Sequence, residues 1–273
     1  MIKDITLGQF FPGNSPLHKL DPRIKIILAI IFIAIVFFAK SALAYAEIFL
    51  YAVILVVVSG ISFKTIIKSM KPLVFVLAFT SILNIFWTVG DNLLVSFGPI
   101  KIYAEGIMFA LFMIIRITVL LVSTTVILTY TTSPIMLTDG IERLLSPLKV
   151  FKVPVHEFSL MMTIALRFIP TLIEETDKIM SAQKARGADF SNGSLVDRAK
   201  ALIPVLIPLF VSAFRRADEL ATAMECRCYH GGDGRTKMTV SKISTLDIFM
   251  LFIFIIAGIA VIVTNNLPIG TFL

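Results

Sequence analysis

Five apolar runs punctuate this chain, at about residues 24–39, 42–63, 72–89, 106–129 and 246–264. Each is close to or above the ~17 residues that a tilted membrane-crossing helix needs, and nearly free of charge. The pattern therefore predicts five transmembrane helices. The first and last are short, and Lys25 and Lys40 at the ends of the first are expected to extend their ammonium groups to the membrane surface.

The stretch between the fourth and fifth runs has a different texture. Residues 131–245 hold 27 of the 43 charged residues yet keep long apolar segments, as expected of helices with one face in lipid or protein and one in water. Three helices can be read there. The first opens at Ser133-Pro134, a cap followed by a first-turn proline, and stops at Ser146-Pro147. The second runs from after Pro154 to about Arg186 and is broken only by Pro170. The third runs from about Leu195 to Arg227 with Pro204 and Pro208 inside it.

The last two would each be roughly 45 Å long at ~1.5 Å per residue. Their interior prolines are expected to kink them, since each removes a backbone hydrogen bond and crowds the preceding turn. Each begins apolar (residues 158–173 and 202–214) and ends charged (174–184 and 215–225), so each leaves a greasy environment for water. The expected organisation is transmembrane helices in 1–130, cytoplasmic or interfacial helices in 131–245 and a closing span in 246–273.

Composition narrows the class. With 57% hydrophobic residues and 16% charged, the chain carries more apolar surface than a soluble fold of 273 residues can hide. Mean hydropathy is +0.92. The reading is an all-α polytopic membrane protein with a three-helix cytoplasmic domain, two of its helices long and proline-kinked. Lysine and arginine fall four before the first run and one after it, then three, then one, then fifteen in 131–245, and none after Thr264. By the positive-inside rule this puts the N-terminus in the cytoplasm and the C-terminus outside the cell membrane. The formal charge of +7 is thereby assigned to the membrane's cytoplasmic side; no basic patch interleaved with aromatics points to nucleic acid. The opening residues lack a charged-apolar-small cleavage pattern, so no removable signal peptide is expected. Cys226 and Cys228 fall on the expected cytoplasmic side, where thiols stay reduced.

The chemistry concentrates at two similar helix endings. "DKIMSAQKARGADF" sets Arg186 between Ala185 and Gly187, and "DELATAMECRCYHGG" sets Arg227 between Cys226 and Cys228, 41 residues later. In both, an aspartate (Asp177, Asp218) precedes the arginine by nine residues. An arginine ending a helix gains ~0.3–1 kcal/mol from the helix dipole, and that alone could account for either. The repeated arrangement favours a second reading: each guanidinium, flanked by small residues, enters a groove on another protein and forks onto a carboxylate.

Other groups are weaker. Cys226, Cys228 and His230 supply only three metal-ligand candidates around an arginine, so no metal is expected. "GGDGRTK" lacks the order of a phosphate-binding loop and reads as a linker. Arg116 lies in the middle of the fourth run and Glu47 near the start of the second; a structural pair, or an arginine bonded to backbone carbonyls, competes with a functional role. No acid, base and nucleophile are grouped, so neither catalysis nor a cofactor is expected; His18, His156 and His230 read as surface or cap residues.

The chain resembles the transmembrane T component of energy-coupling factor (ECF) transporters, a branch of the ABC transporters for vitamin and metal-ion uptake. The resemblance runs nearly end to end, through "SPLHKLDPRIK", "TYTTSP", "GIERLLSPLK", "ALRFIPTLIEE", "AQKARGADF" and "PLFVSAFRRADELATAMECRCYHGGDGRTK". Its most specific element is the pair of Ala-Arg-Gly motifs. The first is intact as Ala185-Arg186-Gly187; the second departs as Cys226-Arg227-Cys228 but keeps the arginine and small flanks. The resemblance implies two coupling helices that cross in an X, each tip docked in one of two cytoplasmic ABC-type ATPase subunits. It further implies a substrate-binding membrane S component held on their apolar faces. On this reading the chain itself has no enzymatic activity.

Three other layouts fit less well. A self-sufficient secondary transporter or channel should show inverted repeats with broken helices near the midplane, and five spans around one insertion do not divide that way. A membrane-embedded enzyme needs a reactive grouping. An ordinary ABC importer permease would carry one coupling loop per chain, not two arginine tips.

Overall fold

The computed structural model describes residues 10–90, 92–97, 100–190, 194–232, 234 and 243–266. The opening residues, the 235–242 part of the "GGDGRTK" exit and the tail after Asn266 lie outside them. Two compact units divide the chain, one formed by residues 8–140 and 241–273, the other by 1–7 and 141–240.

In the first unit, the short α1 (Pro16–Lys19) leads into α2 (Pro22–Phe38) and α3 (Ala42–Ser59). Asp21 accepts from the Arg23 amide with Pro22 at the first turn, and Ser41 caps the Ala44 amide, so both helices start where local chemistry satisfies their free donors. Next come α4 (Phe63–Met70), a 3₁₀ turn (Lys71–Leu73) and α5 (Val74–Trp87). An antiparallel hairpin, β1 (Leu93–Phe97) and β2 (Ile100–Tyr103), precedes α6 (Ala104–Thr124), which ends in a π-helical stretch over Thr125–Tyr130. The unit closes with α10 (Thr245–Asn265), opened by a Ser244–Asp247 capping box.

Among the described residues, four helical stretches are long and apolar enough to cross a membrane: Ala42–Ser59, Phe63–Trp87, Ala104–Tyr130 and Thr245–Asn265. The apolar α2 is 17 residues long and sits at the centre of the same unit. With helices supplying every backbone partner internally, this is the all-helical membrane architecture that the apolar pattern implied. The hairpin is an addition: Leu93, Leu94, Val95 and Phe97, interrupted only by Ser96 and followed by Gly98-Pro99, are a short strand signal in a segment read only as a loop.

The core runs along α2, where Leu28, Phe32, Ile35 and Val36 pack with Ile48 and Leu55 of α3 and Phe254 and Val261 of α10. Lipid tails are as apolar as these side chains, so packing and polar ties rather than water expulsion must hold the bundle. Small residues allow the close approach: a Cβ on Gly258 would stand 3.2 Å from Ile35. At one end, Asn265 donates to the Phe38 carbonyl and accepts from the Lys40 and Ser41 amides, while Thr264 donates to Glu47. At the other, Asp247 accepts from the Asp21 amide at 2.8 Å and Lys25 donates to the Thr131 carbonyl at 2.7 Å.

Lys25 thus corrects the sequence reading. Lys40 is exposed as expected, but Lys25 is 2% exposed and points inward, because the end of α6 leaves carbonyls that need a donor and Asp21 and Asp247 supply compensating charge. Arg116 is half-buried. It donates to the Ala39 carbonyl at 3.0 Å and to the Tyr45 hydroxyl, and lies 5.4 Å from the Tyr45 ring, which stacks on Phe112. Arg116 and Glu47 therefore have separate structural partners, Arg116 being the arginine bonded to backbone.

In the second unit, α8 (Val155–Ala185) and α9 (Leu195–Cys226) dominate. Ahead of them, α7 (Pro134–Leu145) spans the boundary between the units and is followed by a 3₁₀ segment over Ser146–Phe151. Helix α8 is continuous through Pro170, where the sequence indicated a break, and α9 through Pro204 and Pro208. Each proline removes one bond from the ladder, but its fixed φ is itself helical, and the remaining bonds carry the helix on.

Candidate functional site: the two arginine tips

Helix α9 begins with a capping box: Ser194 Oγ accepts from the Asp197 amide, and Asp197 accepts from the Ser194 amide. Helix α8 starts after Pro154 and is supported at its base by a polar cluster. Glu142 accepts from His156 Nδ1 at 3.2 Å and from Ser159 Oγ at 2.9 Å, and Tyr229 Oη lies 3.4 Å from His156 Nε2. His156, read from sequence as a surface or cap residue, therefore ties the first turn of α8 to the segment leaving α9.

The two helices meet through an ion pair, Arg216 Nη2 to Glu175 Oε2 at 2.8 Å. These positions are 41 residues apart. That is the interval between Arg186 and Arg227, so matching positions of the two helices face each other, and each arginine follows eleven residues later.

The tips share one backbone design. Arg186 is the C-cap of α8 (φ −88°, ψ 5°) and Arg227 the C-cap of α9 (φ −94°, ψ 14°). After Arg186, the Gly187 amide bonds the Lys184 carbonyl at 2.9 Å and the Ala188 amide bonds that of Gln183 at 3.0 Å. After Arg227, the Cys228 amide bonds the Glu225 carbonyl at 2.9 Å and the Tyr229 amide bonds that of Met224 at 3.1 Å. Both are Schellman motifs, which need a left-handed residue just past the cap. Gly187 has φ +90° and Cys228 φ +55°.

The small flanks thus have a reason that spacing alone did not reveal. The residue after each arginine must turn left-handed, which glycine does freely and cysteine at a cost of about 1–2 kcal/mol. All six sequence-nominated residues, Ala185, Arg186, Gly187, Cys226, Arg227 and Cys228, are exposed. The cap uses only their backbone, leaving both guanidinium groups presented to whatever lies beyond.

Cys226 and Cys228 are free thiols. Among the described residues no group of three or more His, Cys, Asp or Glu is placed to hold a metal ion. Leu160 and Ile164 of α8, Leu220 and Met224 of α9 and the cap residue Arg227 line a cavity of about 490 Å³. Along both helices a wide apolar face is uncovered, with Phe158, Met161, Ile207, Phe210 and Phe214 each at least half exposed. An uncovered patch of that kind marks a contact surface.

The sequence profile of the CbiQ family, described as cobalt transport protein, matches residues 13–238. The energy-coupling factor transporter transmembrane protein EcfT of Ruminiclostridium cellulolyticum is 54% identical over 250 residues, covering 92% of this chain and 93% of that protein. The chain belongs to this family. Its EcfT members in Clostridium kluyveri (53% identity, 90% of this chain, 92% of that protein) and Bacillus subtilis (48%, 87% and 89%) align over nearly the same span. Both tips lie inside the region the family profile matches. Family membership and the apolar helices together make this a multi-pass membrane protein of the energy-coupling type.

Proposed function

We propose that the chain is the force-transmitting subunit of an ECF-type importer in a bacterial cell membrane, carrying vitamin or metal-ion uptake without catalysing any step itself. The observation that supports this best is the pair of exposed arginines on matching helix caps. Each of the triads Ala185-Arg186-Gly187 and Cys226-Arg227-Cys228 docks in a groove of one of two cytoplasmic ABC-type ATPase subunits, where the guanidinium forks onto a carboxylate. The exposed apolar faces of α8 and α9 hold a substrate-binding S component in the membrane. The N-terminus is cytoplasmic and the C-terminus outside.

ATP hydrolysis takes place on the partner chains. Closing of the ATPase pair draws the two tips together. Each tip is eleven residues, about 16 Å of helix, past the Glu175–Arg216 pair. That pair therefore acts as the pivot through which the motion reaches the apolar halves and the S component.

Replacing one arginine of a desolvated charge pair costs ~2–5 kcal/mol. Arg186→Glu and Arg227→Glu should each weaken ATPase association, and the double change should abolish uptake while the chain still inserts. Recovery of both ATPases in normal amounts with the double variant would refute the proposal.

A further inference from the structure

Helix α4 carries a charge imbalance that neither the fold nor the coupling role uses. Lys64 and Lys68 lie one turn apart, and Lys71, the helical C-cap, continues the same stripe at i+7. All three are exposed, and among the described residues none is ion-paired. No Asp or Glu occurs in the sequence between Glu47 and Asp91. Like charges at this spacing destabilise a helix, and this eight-residue helix has nothing of its own to offset them.

The stripe beside the lysines is apolar and equally exposed. Phe63 is 54% and Ile67 68% exposed, while Ile66, on the opposite edge, is buried. Beyond the 3₁₀ turn the exposed apolar surface continues onto α5 through Val74, Phe75 and Phe79. The helix thus presents a row of cations along one flank of a greasy track that runs into a membrane span. A solvated face would account for the lysines, but not for Phe63 and Ile67 alongside them. A soluble anion would match the charge and leave the apolar track in water.

We infer that Lys64, Lys68 and Lys71, with Phe63 and Ile67, form a binding site for an anionic phospholipid, its phosphate on the lysine stripe and its acyl chains along the apolar one. This depends only on membrane insertion and is independent of the coupling role proposed above.

The test uses the full chain purified in detergent, with native mass spectrometry and thermal unfolding as readouts. Phosphatidylglycerol should be retained over phosphatidylcholine by about a hundredfold, the product of roughly fivefold per lysine near an anionic headgroup. This preference should shrink as salt screens the charges. K64Q/K68Q/K71Q should bring the two lipids within a few-fold, K64R/K68R/K71R should keep the preference, and K40Q should leave it unchanged. F63S/I67S should weaken retention of the lipid but not of inorganic phosphate.

Three results would overturn the site. One is stabilisation by inorganic phosphate equal to that by phosphatidylglycerol, which would mark a bare anion site. Another is a preference that survives the triple glutamine change. The last is a wild-type chain that does not distinguish the two lipids, in which case the lysines are only a solvated face.

Discussion

Glu175 and Arg216 form an ion pair at 2.8 Å while occupying matching positions of two helices whose arginine caps are separated by the same 41-residue interval. A contact between equivalent positions is what an internal two-fold relation between α8 and α9 produces at the point where they meet. The pair is partly exposed, so its value lies in fixing where the helices touch more than in stability. Glu175→Gln or Arg216→Gln should each lower stability by less than about 1 kcal/mol. Glu175→Arg alone should cost more through repulsion, and adding Arg216→Glu should restore the loss. A double-mutant cycle on thermal unfolding of the purified chain checks this.

The left-handed residues past the two caps yield opposite expectations. Gly187→Ala should loosen the last turn of α8 by about 1 kcal/mol, whereas Cys228→Gly should tighten that of α9 by a similar amount. Amide hydrogen exchange at residues 183–188 and 224–229 reads each effect directly. Equal protection in both variants would show that the cap conformation carries no strain.

Lys25 is enclosed by groups that depend on its charge. Lys25→Met should leave the Thr131 carbonyl without its donor and Asp247 without its compensating cation, Asp21 keeping Arg23, at a cost of about 3–5 kcal/mol. A large fall in the unfolding midpoint, or loss of the chain from the membrane fraction, is the expected outcome. Lys40→Met, at an exposed site, should have little effect.

Arg116 holds the Ala39 carbonyl and the Tyr45 hydroxyl within the membrane unit. Arg116→Leu should cost about 1–3 kcal/mol by stranding these groups, and Tyr45→Phe should cost less because the carbonyl bond remains. Thermal unfolding ranks the two. The opposite order would mean that the stacking of Tyr45 between Phe112 and the guanidinium dominates.

Much of this architecture could be read without coordinates because its signals are local. Apolar run length marks membrane helices, and Ser133-Pro134 announced the start of α7. The charged endings at Arg186 and Arg227 marked the ends of α8 and α9 to within a residue. Pro204 and Pro208 were read as lying inside α9 and do; only the break at Pro170 is absent, since one lost hydrogen bond does not end a helix of 31 residues. The hairpin before α6 was missed because nine strand residues carry too short an alternation to stand out between two apolar spans.

By itself the sequence determined the class, the helix order and the pair of arginine tips, since each rests on period, length or a repeated motif within one segment. Only the tertiary structure decided which charges turn inward, because burial of Lys25 and Asp247 depends on partners up to 226 residues away along the chain. It also decided that Cys228 takes the left-handed role of Gly187, and that Glu175 meets Arg216. Those are consequences of where backbones lie in space, and no local pattern encodes them.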